Sequence, residues 1–146
     1  MLFGEHSPAI DSQYRISVPA KFRAELGEQF VIVCKLDSSC LRIYSQESWE
    51  EYITSLKGQL TRGSYEKMMF HYYRKAVQAT PDSLGRVRVP KDLWESIGID
   101  FESEEHEIMV VGCGDFGEIW FKPRYDAYVS DMNVEALCAE IEGCAI

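Results

Sequence analysis

The chain has 146 residues, 46% of them hydrophobic and 27% charged, the balance of a folded globular protein and not of a disordered one. Its formal net charge of −9 opposes non-specific binding to nucleic acid. The longest apolar runs, Phe30 to Cys34 and Ile108 to Val111, are strand-sized, so no membrane partner is expected, and Met1 to Ala9 lacks the features of a secretory leader.

Gly4 to Ile10 reads as a lead-in strand with Ile16 to Val18 as its return partner. Between them Asp11 to Tyr14 forms a turn, because an Asp at a turn's first position can hydrogen-bond the backbone two residues on. Pro19 opens a short helix as its first residue, with Phe22 and Leu26 on one face and Gly27 as the left-handed stop. A hairpin follows from Phe30 to Val33 and Leu41 to Tyr44. Ser45 is placed to cap a helix whose stripe is Trp49, Tyr52, Ile53 and Leu56. Gly58 to Gly63 interrupts it, and Ser64 opens another helix ending near Ala76.

The second half repeats the scheme. Val77 to Thr80 and Val87 to Val89 flank a turn at Asp82 to Gly85, and Pro90 opens a short helix with Leu93 and Ile97, closed by Gly98. Ile108 to Val111 and Glu118 to Phe121 form the later hairpin. Pro123 begins a helix whose Tyr125 and Tyr128 correspond to Trp49 and Tyr52, and Val134 to Ile141 reads as a final acidic helix. Asp11 to Gly27 aligns without a gap on Asp82 to Gly98, with identical Asp, Ser, Arg, Val, Pro and Gly at matching positions. This is an internal duplication. The expected organisation is a first repeat over 1–58, a helical connection over 59–76, a second repeat over 77–130 and an acidic tail over 131–146.

The pattern DxxGRxxxP, followed by a short helix and glycine, resembles the AbrB-type swapped-hairpin DNA-binding half. Two copies, with Met-Leu-Phe-Gly-Glu-His at the start and Arg-Ile-Ser-Val-Pro-Ala-Lys-Phe-Arg after the first turn, are similar to the MraZ family over roughly residues 1 to 130. The resemblance implies a mainly β fold with peripheral helices, a duplicated swapped-hairpin β-barrel with a pseudo-two-fold inside one chain. It also implies a cytoplasmic, nucleoid-associated transcriptional regulator of cell-division and cell-wall genes. Such a regulator binds short G-containing direct repeats in double-stranded DNA upstream of its own operon and assembles with itself into a ring. The first copy departs from the pattern with Tyr14 in place of glycine, so the two turns need not share a geometry. The second helix carries Trp94 where the first carries Arg23, so the halves need not contact DNA equally.

Arg15 and Arg86 are the leading candidates for DNA contact. Each follows a turn set by Asp11 or by Asp82 and Gly85, and a guanidinium fork suits guanine O6/N7 or a phosphate. The competing role is structural, an ion pair from Arg15 to Asp11 and from Arg86 to Asp82. Lys21, Arg23, Arg88 and Lys91 surround the same units and suit phosphate contacts, which position a protein without reading sequence. The acidity is concentrated elsewhere, in Asp100 to Glu107 and from Asp126 onward. Screening over about 8 Å therefore allows a local basic face.

Met68, Met69, Tyr72 and Tyr73 form an apolar cluster suited to a core or a subunit interface. Gly112 to Gly117 matches GxGxxG, but a strand follows it where a nucleotide fingerprint needs a helix. Cys34, Cys40, Cys113, Cys138 and Cys144 are odd in number and lack CxxC spacing, which fits reduced thiols better than a disulfide framework or a metal site. No nucleophile has a recognisable base beside it. No catalysis, cofactor or metal is expected. The alternative function is an oligomeric protein-interaction module that keeps this fold and has lost DNA binding.

Overall fold

The computed structural model describes residues 1–144; the last two residues of the expected acidic tail lie outside it. Eight strands and six helices follow one another as β1 (Glu5–His6), β2 (Arg15–Ser17), α1 (Ala20–Leu26), β3 (Phe30–Cys34), β4 (Leu41–Ser45), α2 (Gln46–Lys57), α3 (Arg62–Tyr73), β5 (Val77–Ala79), β6 (Arg86–Arg88), α4 (Lys91–Ser96), β7 (Ile108–Gly112), β8 (Phe116–Phe121), α5 (Lys122–Asp131) and α6 (Val134–Glu142). The architecture is α+β.

Six strands form one antiparallel sheet in the order β1-β7-β8-β4-β3-β5, and β2 pairs with β6 as a separate two-stranded ribbon. The sheet is open, which corrects the expectation of a closed barrel. Its edge strands β1 and β5 are two and three residues long, and the chain leaves each for the ribbon, so the edges do not pair with one another. The lead-in strand is likewise shorter than expected and does not pair with Ile16 to Val18. Glu5 faces Val111 of β7, while Ile16 faces Val87 of β6. The corresponding strand of the second half, β5, lies against β3 of the first. Each half thus completes the other's hairpin, because a two- or three-residue strand has too few hydrogen bonds to stand as a local hairpin.

Alternation along the strands feeds two cores. Phe30, Ile32, Leu41 and Ile43 join Ile16, Phe22, Val87, Leu93, Trp94, Ile108 and Ile119 in the main core, drawn from both halves. Val33 and Tyr44 face the other way, into a second core with Trp49, Ile53, Met68 and Tyr72 from α2 and α3. That face of the second hairpin is covered differently. Trp120 packs on Tyr125 and Tyr128 of α5, yet neither α5 nor α6 has a buried residue.

Helix boundaries follow local chemistry. Ser45 caps α2 by accepting from the Ser48 N–H at 3.1 Å. Thr61, and not Ser64, caps α3, accepting from the Ser64 N–H at 3.2 Å, so α3 starts before Gly63 and ends at Tyr73 instead of near Ala76. Pro19 and Pro90 are N-cap residues with ψ of 141° and 144°, one position earlier than expected, and Pro123 lies in the first turn of α5 as its second residue. An extended ψ at the cap lets each proline leave the ribbon and enter the helix without a backbone donor.

Gly112 shows why the glycine-rich hairpin is not a nucleotide loop. A Cβ there would collide with the Phe3 backbone nitrogen, because the N-terminal segment crosses it, with the Gly112 N–H donating to the Gly4 carbonyl at 2.9 Å. The glycine serves a backbone crossing.

Candidate nucleic-acid interface

The ribbon has one buried and one outward face. Ile16 and Val87 are each 1% exposed, while Arg15, Ser17, Arg86 and Arg88 occupy the alternate positions on the other side. Arg15 faces Arg88 across the ladder, and Ser17 faces Arg86. Facing side chains on such a ladder start about 5 Å apart, so three guanidinium groups share a surface two strands wide.

The two turns that feed the ribbon have the same geometry. The Asp11 Oδ1 accepts from the N–H groups of Gln13 and Arg15, both at 2.9 Å, and the Asp82 Oδ1 accepts from those of Leu84 and Arg86, both at 2.9 Å. The second carboxylate oxygen takes the arginine: Arg15 Nε donates to Asp11 Oδ2 at 2.7 Å and Arg86 Nε to Asp82 Oδ2 at 2.9 Å. The structural ion pairs therefore form at both turns. They occupy Nε and leave the terminal nitrogens of each fork without a hydrogen bond among the described residues. The side chains of Arg15 and Arg86 are 24% and 32% exposed. Backbone N–H donation, from Arg15 and Arg86 first of all, holds both aspartates below the usual carboxylate range.

Tyr14 has φ of 62° and Gly85 of 78°, so the tyrosine adopts the left-handed conformation its glycine counterpart adopts freely. The Tyr14 ring packs edge-on against Phe101 at 4.9 Å, and the Tyr14 carbonyl accepts from the Val89 N–H at 3.1 Å. The Gly85 carbonyl accepts from the Val18 N–H at 3.0 Å in the same way. Each turn is thus held by the opposite half.

The remaining basic candidates divide. Arg88 is exposed on the ribbon and its Nη2 donates to Gln13 Oε1 at 2.9 Å. Arg23 donates from Nε to the Val18 carbonyl at 3.1 Å and lays its guanidinium over Gly85, where a Cβ would meet it at 2.7 Å. It packs against the second turn and is only partly exposed. Lys21 and Lys91 are exposed in the first turns of α1 and α4, helices that start directly after β2 and β6. The apolar cluster also divides: Met68 and Tyr72 are buried in the second core, Met69 is half-buried, and Tyr73 is exposed, its hydroxyl accepting from Trp49 Nε1 at 2.7 Å. Phe70, beside them, is 72% exposed.

Sequence reading missed Gln13 and Leu84. They occupy the same repeat position, directly before the left-handed residue of each turn, and the alignment of the copies is the signal that pairs them. Among the described residues, no three His, Cys, Asp or Glu side chains gather to hold a metal, and no helix is long and apolar enough to cross a membrane.

Fold and site together define a class: an α+β protein with an internal duplication, whose two turns present arginines on a shared β-ribbon. A family model described as "MraZ protein, putative antitoxin-like" matches residues 1–67 and 72–141. Curated relatives carry the name "Transcriptional regulator MraZ". That of Alkaliphilus oremlandii is 36% identical over 135 residues, covering 92% of this chain and 90% of its own. That of Acetivibrio thermocellus is 29% identical over 137 residues, covering 93% and 92%. A third, from Ligilactobacillus salivarius, is 33% identical over 134 residues, covering 91% and 90%. The chain belongs to the MraZ family.

Proposed function

We propose that this chain is a sequence-specific DNA-binding transcriptional regulator that acts in the cytoplasm on short direct repeats upstream of its own operon. The observation that carries the reading is the ribbon face, with Arg15, Arg86 and Arg88 outward on a strand pair narrow enough to enter a DNA major groove. The Nε of Arg15 and of Arg86 is fixed by a turn aspartate, which aims a fork without using it up. Pinning and DNA contact are then one device: the aspartate sets the direction and the terminal nitrogens address a guanine edge. Lys21 and Lys91 take phosphates on either side, and Arg23 serves first as the cover of the second turn. The exchanged first strands support the swapped-hairpin reading, in which the two copies interleave as one unit.

Self-assembly into a ring is supported by the apolar surface that no part of the described chain covers. Phe70 and Tyr73 lie exposed on α3, and Tyr128, Val129, Val134, Leu137 and Ile141 lie exposed on α5 and α6. Tyr73 and Met69 remain candidates for that interface, whereas Met68 and Tyr72 support it from inside. A salt-dependent gel shift on the DNA upstream of the chain's own coding sequence tests the reading. Binding that resists scrambled competitor DNA supports it. Assembly without any preference for that DNA would favour the interaction module instead.

A further inference from the structure

The two turns share a backbone and differ at their tips. At the first, Gln13 is tied through Oε1 to Arg88, which can only donate. The bond takes one of the two Oε1 lone pairs, so the pair is rich in donors, the Gln13 amide N–H₂ and the guanidinium N–H groups against one remaining acceptor site. At the second, the equivalent residue is Leu84, 69% exposed and two residues from Arg86. Its backbone N–H is consumed by Asp82 Oδ1 at 2.9 Å, so the tip offers the groove a purely apolar side chain. The strand positions are unequal too, with Arg88 facing Arg15 near one turn and Ser17 facing Arg86 near the other.

We infer that the two turns read different bases, so that each copy of the protein binds its DNA element in one direction: Leu84 rests on the 5-methyl group of a thymine, while the donor-rich Gln13–Arg88 pair takes a guanine edge. The inference rests on the DNA-binding reading and deepens it. Base chemistry supplies the match. In the major groove guanine presents two acceptors, N7 and O6, which suit a donor-rich pair better than adenine, which presents one acceptor and one donor. Thymine alone of the four bases carries a methyl group there, the one feature a leucine side chain can read. A pseudo-two-fold unit with equal tips would favour a palindrome. Unequal tips give each bound element a direction.

The test is a uracil scan. Each thymine of a duplex covering the DNA upstream of the coding sequence is replaced in turn by deoxyuridine, which removes only the methyl group. Wild type and the Leu84→Gln and Leu84→Met variants are titrated on every duplex, with oligomeric state measured in parallel. At one thymine per repeat the wild type should lose about fourfold in affinity, the effect of withdrawing one methyl group from an apolar contact. Leu84→Gln should abolish that sensitivity and Leu84→Met retain it. A uracil profile that is flat in the wild type, or unchanged in Leu84→Gln, overturns the inference while leaving specific binding intact. A change of oligomeric state in Leu84→Gln with an unchanged profile also overturns it, since the leucine then serves assembly. Wild type that does not distinguish the upstream duplex from scrambled DNA overturns both this inference and the reading beneath it.

Discussion

The indole Nε1 of Trp94 donates to the carbonyl of Tyr14 at 3.2 Å, so a helix of the second half grips the turn of the first. Trp94 is fully buried, and it occupies the repeat position that Arg23 fills over Gly85. The exposed tips of this site therefore rest on the packing of the opposite half. Trp94→Ala should cost about 3–5 kcal/mol, the range for truncating a large buried aromatic. Trp94→Phe removes the hydrogen bond and part of the buried ring system, and should cost less than Trp94→Ala because most of the ring remains and the Tyr14 carbonyl keeps its bond from the Val89 N–H. Urea unfolding curves measure both.

Tyr14 poses a balance of two effects. Its left-handed φ costs about 1–2 kcal/mol relative to glycine. Against this, its edge-on contact with Phe101 contributes about 0.5–1.5 kcal/mol beyond burial, and glycine in its place would add chain entropy to the unfolded state. Tyr14→Gly should thus lower the unfolding midpoint slightly in the wild-type background. In a Phe101→Ala background the ring has lost its partner, and the same substitution should be neutral or stabilising. A thermal double-mutant cycle reads the change of sign.

For DNA, Arg15→Ala and Arg86→Ala should each weaken specific binding by about 1–3 kcal/mol while folding is retained. Lys21→Ala should weaken all sequences alike and reduce the salt slope by about one. Asp11→Asn keeps the turn's acceptor but loosens the arginine, so affinity should fall with little change in that slope. Fluorescence anisotropy at several salt concentrations separates these cases.

The turn aspartates also set an acid response. Their pKa values are lowered in the folded state, so the stabilisation they contribute is fully present above the unfolded-state pKa of about 3.9 and is lost as pH falls through the depressed folded values. The Asp11→Asn and Asp82→Asn variants should therefore lose less stability than the wild type between pH 5 and the acid limit. Unfolding midpoints across that interval, read with the ribbon amide signals by NMR, test the sign.

Assembly has its own signature. Phe70→Ser changes an exposed residue and should dissociate the proposed oligomer with the fold intact, whereas Met68→Ser should unfold the second core. If a ring presents many ribbons, two correctly spaced repeats should bind about 10²–10⁴-fold more tightly than one. Phe70→Ser should abolish that gain, and so should moving one repeat by half a helical turn. Analytical ultracentrifugation with titrations on one- and two-repeat duplexes measures both consequences.

Much of this was written locally. The paired Asp and Arg, four residues apart on each turn, and the alternation that buries Ile16 and Val87 are short-range patterns, legible because a turn and a strand impose fixed periods on neighbours. The duplication came from the same kind of reading, as did the Ser45 cap and the arginine candidates. What the tertiary structure decided is who pairs with whom. Ile16 meets Val87 and Glu5 meets Val111, partners far apart in the chain, and a two-residue strand carries no pattern that names its partner. The sequence marked Tyr14 as the departure from glycine but left its geometry open, because the strain is offset by Phe101 and held by Trp94 and Val89, all from the other half. Nor does helical spacing tell which side of α3 faces the second core; the fold alone buries Met68 and Tyr72 and leaves Phe70 outside. Local chemistry determined the turns and the faces, and long-range packing determined which of those faces meet and which remain open.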